Sequence, residues 1–425
     1  MRVLFLGLSP PYPPLNGHRL RTWAMVRALA ANGHQITVLS FADPEEEAGA
    51  DSPLARLCEH VELIAAPRSS GGSISGHLAR VRSLVSPLPH GAWRFRGPVF
   101  ERRVKEFLHR SRFDVVLCDG VYNMVNVPEP LSLPLILNKD DVAHVIIERY
   151  MRLETNPIRK FYASLERRKV RAWEASASRR CAAIWACSNH DRALLEICCP
   201  GARVEVIPNV VDTVYYAPAD EGDQNVKTIL FQGGMDWYPN RDAVNFFVSA
   251  ILPILRPLTP GATFTVAGRS LTDGFQQQFA GLGDVRFTGT VPEMRTEIAK
   301  SSVCVVPLRI ASGTRLKILE AAAMSKPIVS THIGAEGLDF TPGAEILLAD
   351  KPKEFAEAVA TLLKDGTLRK SMGQAARRRV EKEYSIEALQ VAVRDALATI
   401  PAIPAAELRR SGRGLMAGTR NGVSG

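Results

Sequence analysis

The chain has 425 residues, 46% of them hydrophobic and 23% charged, with a formal net charge of +9. This is ordinary soluble globular composition, long enough for two or three packed domains; no run approaches 18 apolar residues, which excludes a membrane-spanning helix. The seven cysteines (58, 118, 181, 187, 198, 199, 304) are odd in number and form no CxxC pair, so no disulfide framework or metal-type cysteine site is predicted and a reducing cytoplasm is expected.

The first element, "RVLFLGL" (2–8), is a short β-branched and aromatic run of the kind that fills a central strand buried on both faces. It is too short for a signal peptide, and prolines end it at once. A loop rich in Pro and Gly follows, "SPPYPPLNGHR" (9–19), then the helical pattern "LRTWAMVRALAANG" closed by Gly33, then the strand "HQITVLSF" (34–41). Strand, loop, helix and strand in this order make a right-handed βαβ unit. Gly17 is where a ligand could approach the backbone of the first loop, although a plain βα connection fits the same residues. No GxGxxG is present, which disfavours a dinucleotide site of the dehydrogenase kind. Further strands are predicted at 61–65, 114–118, 134–138 and 182–187.

Charge is uneven along the chain. Residues 1–205 hold 28 Lys+Arg against 21 Asp+Glu, and residues 401–425 hold 4 against 1. The excess concentrates in "RFRGPVFERRVKEFLHRSR" (94–112) and "RKFYASLERRKVRAW" (159–173). Such stretches are solvated helix faces, contacts with an anionic membrane leaflet, or a field that steers an anionic substrate. Nucleic acid is disfavoured because no binding motif accompanies the charge.

"VIPNVVDTVYYAPADEGDQN" (206–225) reads as a linker, after which the strand and helix pattern restarts. "KTILFQGG" (227–234) is a strand ending in Gly233 and Gly234, whose backbone N–H groups are candidates for a phosphate or a base. Asp236, Trp237 and Asn240 could equally serve only to shape that turn. A helix is predicted over 240–255 with Asn240 as its N-cap, then strands at 263–268, 285–289, 303–308 and 327–331. The expected division is a first domain 1–205, a linker 206–225, a second domain 226–384, a helix 385–400 and a disordered basic tail 401–425. Both domains are α/β, with doubly wound parallel sheets that leave a cleft at the C-terminal ends of their strands, where open α/β sheets bind ligands.

The most informative stretch is "SGTRLKILEAAAMSKPIVST" (312–331). A helix predicted to start near Ser312–Thr314 carries Arg315 and Lys317 in its first turn, where the peptide dipoles disfavour cations by roughly 0.3–1 kcal/mol each. An anion in front of the helix resolves the conflict. Two cations and the free N–H groups of residues 313–315 suit a diphosphate. Glu320 falls in an otherwise apolar run and needs a donor. Lys317, three residues earlier, is one candidate, and sugar hydroxyls of a ligand are the other.

These residues carry a family likeness. "SGTRLKILEAAAMSKPIVSTHIGAEGL" (312–338) closely resembles the nucleotide-sugar-binding segment of glycosyltransferase family 4 and its neighbours, retaining enzymes of glycosyltransferase group 1 with the GT-B fold. "VLFLGLSPPYPPLNG" and "ALAANGHQITVLS" resemble the family's acceptor-side unit, "VIPNVVDTVYYAP" its interdomain linker, and "ILFQGGMDWYPNRDAVNFF" the opening of its donor domain. The resemblance implies two Rossmann-like domains facing a central cleft, with a C-terminal helix crossing back to the first. It implies transfer of a sugar from a nucleoside-diphosphate-sugar, with retention and without a metal or other cofactor. Glu320 matches the second acid of the family's Glu-x7-Glu motif, which binds the donor ribose, whereas the first acid is replaced by Ser312. Arg315 and Lys317 take over the cationic role that many members place after the strand at 227–232. Ser312, Gly313 and Thr314 complete the donor loop. In "LILNKDDVAHVIIERY" (135–150), Asp140 stands where relatives carry a catalytic His, and His18 and His34 read as structural. The resemblance leads to a transferase acting on a saccharide or lipid-linked saccharide in bacterial polysaccharide or glycoconjugate synthesis, cytoplasmic or peripheral at the inner membrane face. An inactive nucleotide-sugar-binding protein, or an epimerase or phosphorylase of the same fold, are the alternatives.

Overall fold

Two parallel sheets, each flanked by helices, organise the chain. The structure is a computed structural model and describes residues 1–46, 49, 51–67, 86–218 and 227–400. The first sheet has seven strands in the order β3-β2-β1-β4-β5-β6-β7: β1 Arg2–Gly7, β2 Gln35–Ala42, β3 His60–Ala65, β4 Val115–Asp119, β5 Leu135–Asn138, β6 Ala183–Ala186 and β7 Val204–Val206. The second has six in the order β10-β9-β8-β11-β12-β13: β8 Thr228–Gln232, β9 Thr263–Ala267, β10 Val285–Gly289, β11 Val303–Val306, β12 Ile328–Ser330 and β13 Leu347–Leu348. All pairings are parallel, with Val3 opposite Val115 and Ile229 opposite Val303 at the two centres. This is the GT-B arrangement expected from the resemblance.

The period-two alternation of β1 sorts its side chains between two layers. Val3 and Phe5 face the helix Gly17–Ala31, and Leu4 and Leu6 face Phe100 and Val104 on the other side. The C-terminal helix Ile386–Ala398 returns to the first domain as expected. Its stripe Ile386, Leu389, Val393, Ala396 and Leu397 packs with Met25 and Leu29, and Asn32 Nδ2 donates to the Gln390 carbonyl at 2.9 Å. Each of the larger side chains in that stripe contributes roughly 1.5–3 kcal/mol by leaving water.

Each strand order reverses once, between β1 and β4 and between β8 and β11, and connections that leave in opposite directions open a crevice there. The loops that follow β1, β4, β8 and β11 therefore meet in the cleft between the domains.

Two local expectations change. The helix predicted over 240–255 begins earlier, at Tyr238–Phe246, passes through a π turn at Phe247–Ile251 and resumes as Leu252–Leu258. Its N-cap is Trp237, so Asn240 lies inside the first turn and its side chain is free for other bonds. The strands β7 and β13, of three and two residues, are too short to leave a periodic signal. Most of the second half of the expected linker (219–225) and the basic tail 401–425 lie outside the described residues.

Candidate active site

The helix that follows β11 starts one turn later than its sequence suggests. It spans Leu316–Ala323 with Arg315 as an extended N-cap, so only Lys317 of the two cations sits in the first turn. The preceding loop is committed to the first domain and the linker. Gly313 N–H donates to Asp191 Oδ1 at 3.2 Å, Ser312 Oγ accepts from Val142 N–H at 2.9 Å, and Thr314 Oγ1 accepts from Asn209 Nδ2 at 2.7 Å. Gly313 has φ +76°, and a Cβ there would collide with the Asp140 carbonyl, so only glycine lets the two domains approach this closely. The N–H group of Gly313, expected to face a diphosphate, therefore faces a carboxylate.

Lys317 points the other way, into the second domain. Its Nζ donates to Asn240 Oδ1 at 3.0 Å and lies 4.2 Å from the centroid of the Phe231 ring. A Cβ on Gly233 would stand 3.0 Å from that nitrogen and 2.7 Å from Asn240 Nδ2, so a larger residue at 233 would crowd the Lys317–Asn240 pair. Asn240 in turn donates to the Gly234 carbonyl at 2.8 Å. Burial, and next the like charge of Arg315, depress the Lys317 pKa to about 7. Lys317 forms no ion pair with Glu320, the partner its spacing suggested. Glu320 is held by Tyr216 Oη at 3.1 Å and Gln232 Nε2 at 2.5 Å, and burial raises its pKa.

Arg315 is buried, and burial lowers its pKa. Its guanidinium donates to the Gly313 carbonyl, and its Nε has no partner among the described residues. A neighbouring clamp joins the domains: Arg149 binds Glu336 through two bonds of 2.6 and 2.7 Å and donates to the Ala311 carbonyl at 2.5 Å, while His190 reaches Glu336 at 3.1 Å. Neither Arg149 nor Glu336 was singled out from the sequence, because a pair 187 residues apart leaves no local pattern.

The first domain contributes a different arrangement. His18, in the first turn of the helix whose N-cap is Asn16, places Nε2 at 2.9 Å from Asp119 Oδ2 and Nδ1 at 3.0 Å from Asp140 Oδ2. Asp119 ends β4 and Asp140 follows β5, so the histidine read as structural lies in the cleft. Only the Nδ1–Asp140 contact is aligned as a hydrogen bond, while Nε2 and Asp119 Oδ2 meet at ion-pair distance without that alignment, and two flanking carboxylates favour the protonated ring. Burial opposes the charge, but Asp119 and then Asp140 prevail and raise the His18 pKa well above its ordinary value. Burial likewise opposes the charge on Asp140, yet His18 holds its carboxyl well below the usual range. Gly17 begins the same helix, and a Cβ there would be 3.5 Å from Leu316 of the second domain. His34 differs: its ring lies 3.2 Å from the chain's α-amino group, at the N-terminal ends of β1 and β2 and opposite the cleft.

Beneath Asp140 lies a buried network, with Glu174 2.6 Å from Lys139 Nζ and 2.6 Å from His144 Nδ1. Cys198 completes a group with the spacing of metal ligands. Burial opposes ionisation of Glu174, but Lys139 and His144 hold its pKa down to about 2. The Lys139 ammonium already supplies the cation that this carboxylate needs, which disfavours a metal ion.

Comparison with known proteins bears on the fold and the family. Residues 226–365 match a family model described as glycosyl transferases group 1, and residues 15–215 match one described as glycosyltransferase family 4. An uncharacterised 44.6 kDa protein in the cps region of Klebsiella pneumoniae is 19% identical over 86% of this chain and 91% of its own length. Among solved structures, sucrose-phosphate synthase from Thermosynechococcus elongatus superposes with a TM-score of 0.73 at 15% identity, covering 94% of this chain and 98% of that one. Anabaena HepE in complex with UDP and glucose gives 0.64 at 15% identity, covering 94% and 100%.

Proposed function

Since this chain belongs to the group 1 and family 4 glycosyltransferases, we propose that it moves a sugar from a nucleoside-diphosphate-sugar to a saccharide or lipid-linked saccharide, with retention of anomeric configuration. The observation that carries this reading is Lys317. It is a basic nitrogen at the mouth of the second sheet, beside Arg315 and Gly233, with no carboxylate partner among the described residues. An anion is the missing partner, and a diphosphate supplies it.

In this reading the diphosphate lies against Lys317 and the loop after β8, with the Arg315 charge behind it. Glu320 keeps lone pairs for ribose hydroxyls beyond those bonded to Tyr216 and Gln232. Negative charge grows on the departing diphosphate as the glycosidic bond breaks, and a fixed cation there stabilises the transition state more than the ground state. Asp140, held ionised by His18, accepts a hydrogen bond from a sugar hydroxyl on the acceptor side. No side chain of the cleft is assigned as a covalent nucleophile. Retention then follows from attack on the face that the leaving group vacates, with a leaving phosphate oxygen taking the acceptor proton. The UDP and glucose of HepE support a nucleotide-sugar donor, and the cps-region relative supports a role in polysaccharide or glycoconjugate synthesis.

A screen of nucleotide-sugars tests this directly. The matching donor raises the melting temperature, by about 2.7 kcal/mol of stability at 100 times its dissociation constant. Added acceptor then releases nucleoside diphosphate, and the anomeric coupling constant of the product reports retention. Binding without turnover, even as slow hydrolysis, favours the inactive sensor instead.

A further inference from the structure

We propose that the N-terminal end of the helix Pro157–Ser178 is a docking surface for an anionic lipid bilayer. The proposal does not depend on the choice of donor or acceptor.

The helix has 22 residues and is anchored along one face, where Ala163, Val170, Glu174 and Ala177 are buried. Its first turn is not anchored. All residues from Thr155 to Phe161 are exposed, and among them Ile158 is 78% and Phe161 67% exposed. Large apolar side chains this bare are costly in water unless something covers them. Arg159 and Lys160 lie between the two, and further along the helix come exposed Arg168, two turns beyond Phe161, and exposed Arg171, three residues after Arg168. None of these four cations forms an ion pair among the described residues.

The acids nearby point elsewhere. Glu166 accepts from His90 N–H at 2.6 Å, and Glu174 is buried against Lys139 and His144. Glu154 accepts from Tyr150 Oη and from Asn156 N–H, and Glu148 pairs with Arg152 and Arg167. What faces outward is an apolar tip followed by a basic stripe, with the positive end of the helix dipole at the tip. This pattern complements a bilayer interface: Ile158 and Phe161 enter the acyl boundary while the cations meet anionic headgroups.

The location suits a surface-bound substrate. The preceding helix, Ala143–Leu153, carries Tyr150, whose ring packs edge-on against Tyr238 of the second domain at 5.3 Å, and Arg149, which grips Glu336. The tip therefore begins one loop beyond the rim of the cleft.

Cosedimentation of the full chain with phosphatidylglycerol-containing vesicles and with pure phosphatidylcholine vesicles tests the proposal. The expected result is binding to the anionic vesicles that weakens when salt rises from about 0.05 M to about 0.5 M, because surface charge is screened over shorter distances. Ile158→Ser/Phe161→Ser and Arg159→Glu/Lys160→Glu should each lower binding roughly tenfold or more. Both variants should keep the melting temperature and the donor hydrolysis rate of the parent, since none of these residues contacts the cleft. Equal binding to neutral vesicles, or undiminished binding by both variants, overturns the proposal. So does a dimer of the parent chain that the first variant converts to monomer, which would make a second copy the occupant.

Discussion

The two banks of the cleft treat charge in opposite ways. On the second domain, Lys317 has a neutral amide and an aromatic ring for company, a second cation behind it, and a pKa driven down to about 7. On the first domain, His18 has two carboxylates and a pKa driven up. One bank is short of negative charge and the other supplies its own. The contrast teaches where a ligand would complete the electrostatics and where the protein has already done so: on the proposed reading, a phosphate goes to Lys317 and hydroxyl groups go to Asp140.

Removing the cations should give the largest effect. Arg315→Ala/Lys317→Ala is expected to cut nucleoside diphosphate release by ~10³-fold or more while the far-ultraviolet circular dichroism stays unchanged. Near-parental turnover would dissolve the contrast. Asp140→Asn should cost about 100-fold in kcat with little change in donor binding, because it keeps the shape and loses the charge. An equal loss of donor affinity would move Asp140 to the other bank.

A third prediction concerns protons. A bound diphosphate restores the ordinary basicity of Lys317, so donor binding near pH 8 should take up as much as one proton. The uptake should vanish well below pH 7, where the lysine is already charged. Calorimetry in buffers of different ionisation enthalpy measures it, and a pH-independent enthalpy difference between buffers would contradict it.

The smallest effect is on stability. The folded-state pKa of His18 is raised above its unfolded value, so its contribution is complete below about pH 6.5 and is lost as pH rises through the elevated folded value. The melting temperature of His18→Gln should therefore trail the parent most in mild acid, at about 2–4 °C per kcal/mol, and the gap should close toward alkaline pH. A gap that widens with pH would mean a neutral imidazole.

The architecture was legible because both sheets are built from short apolar runs separated by Gly, Pro and helix signals, and because residues 312–338 keep a specific motif. Lys317 and Glu320 were legible for the same reason: charge inside an apolar helix is visible in one dimension. Their partners were not. Asn240 was assigned as a cap because its side chain suits one, while Gln232 and Tyr216 look like ordinary strand and linker residues until Glu320 is placed beside them. His18 read as structural because a lone histidine carries no signal of its own. Asp119 and Asp140 give it meaning, and they arrive from two other strands.

The loop 312–314 lends two of its bonds to a simple observation. The amide hydrogens of Val142 and Gly313 are each held by a side chain from the opposite domain, Ser312 and Asp191. Any rotation that parts the sheets frees both at once, so their exchange with deuterated solvent clocks the opening of the molecule, and a bound donor that holds the halves together should slow the two in step.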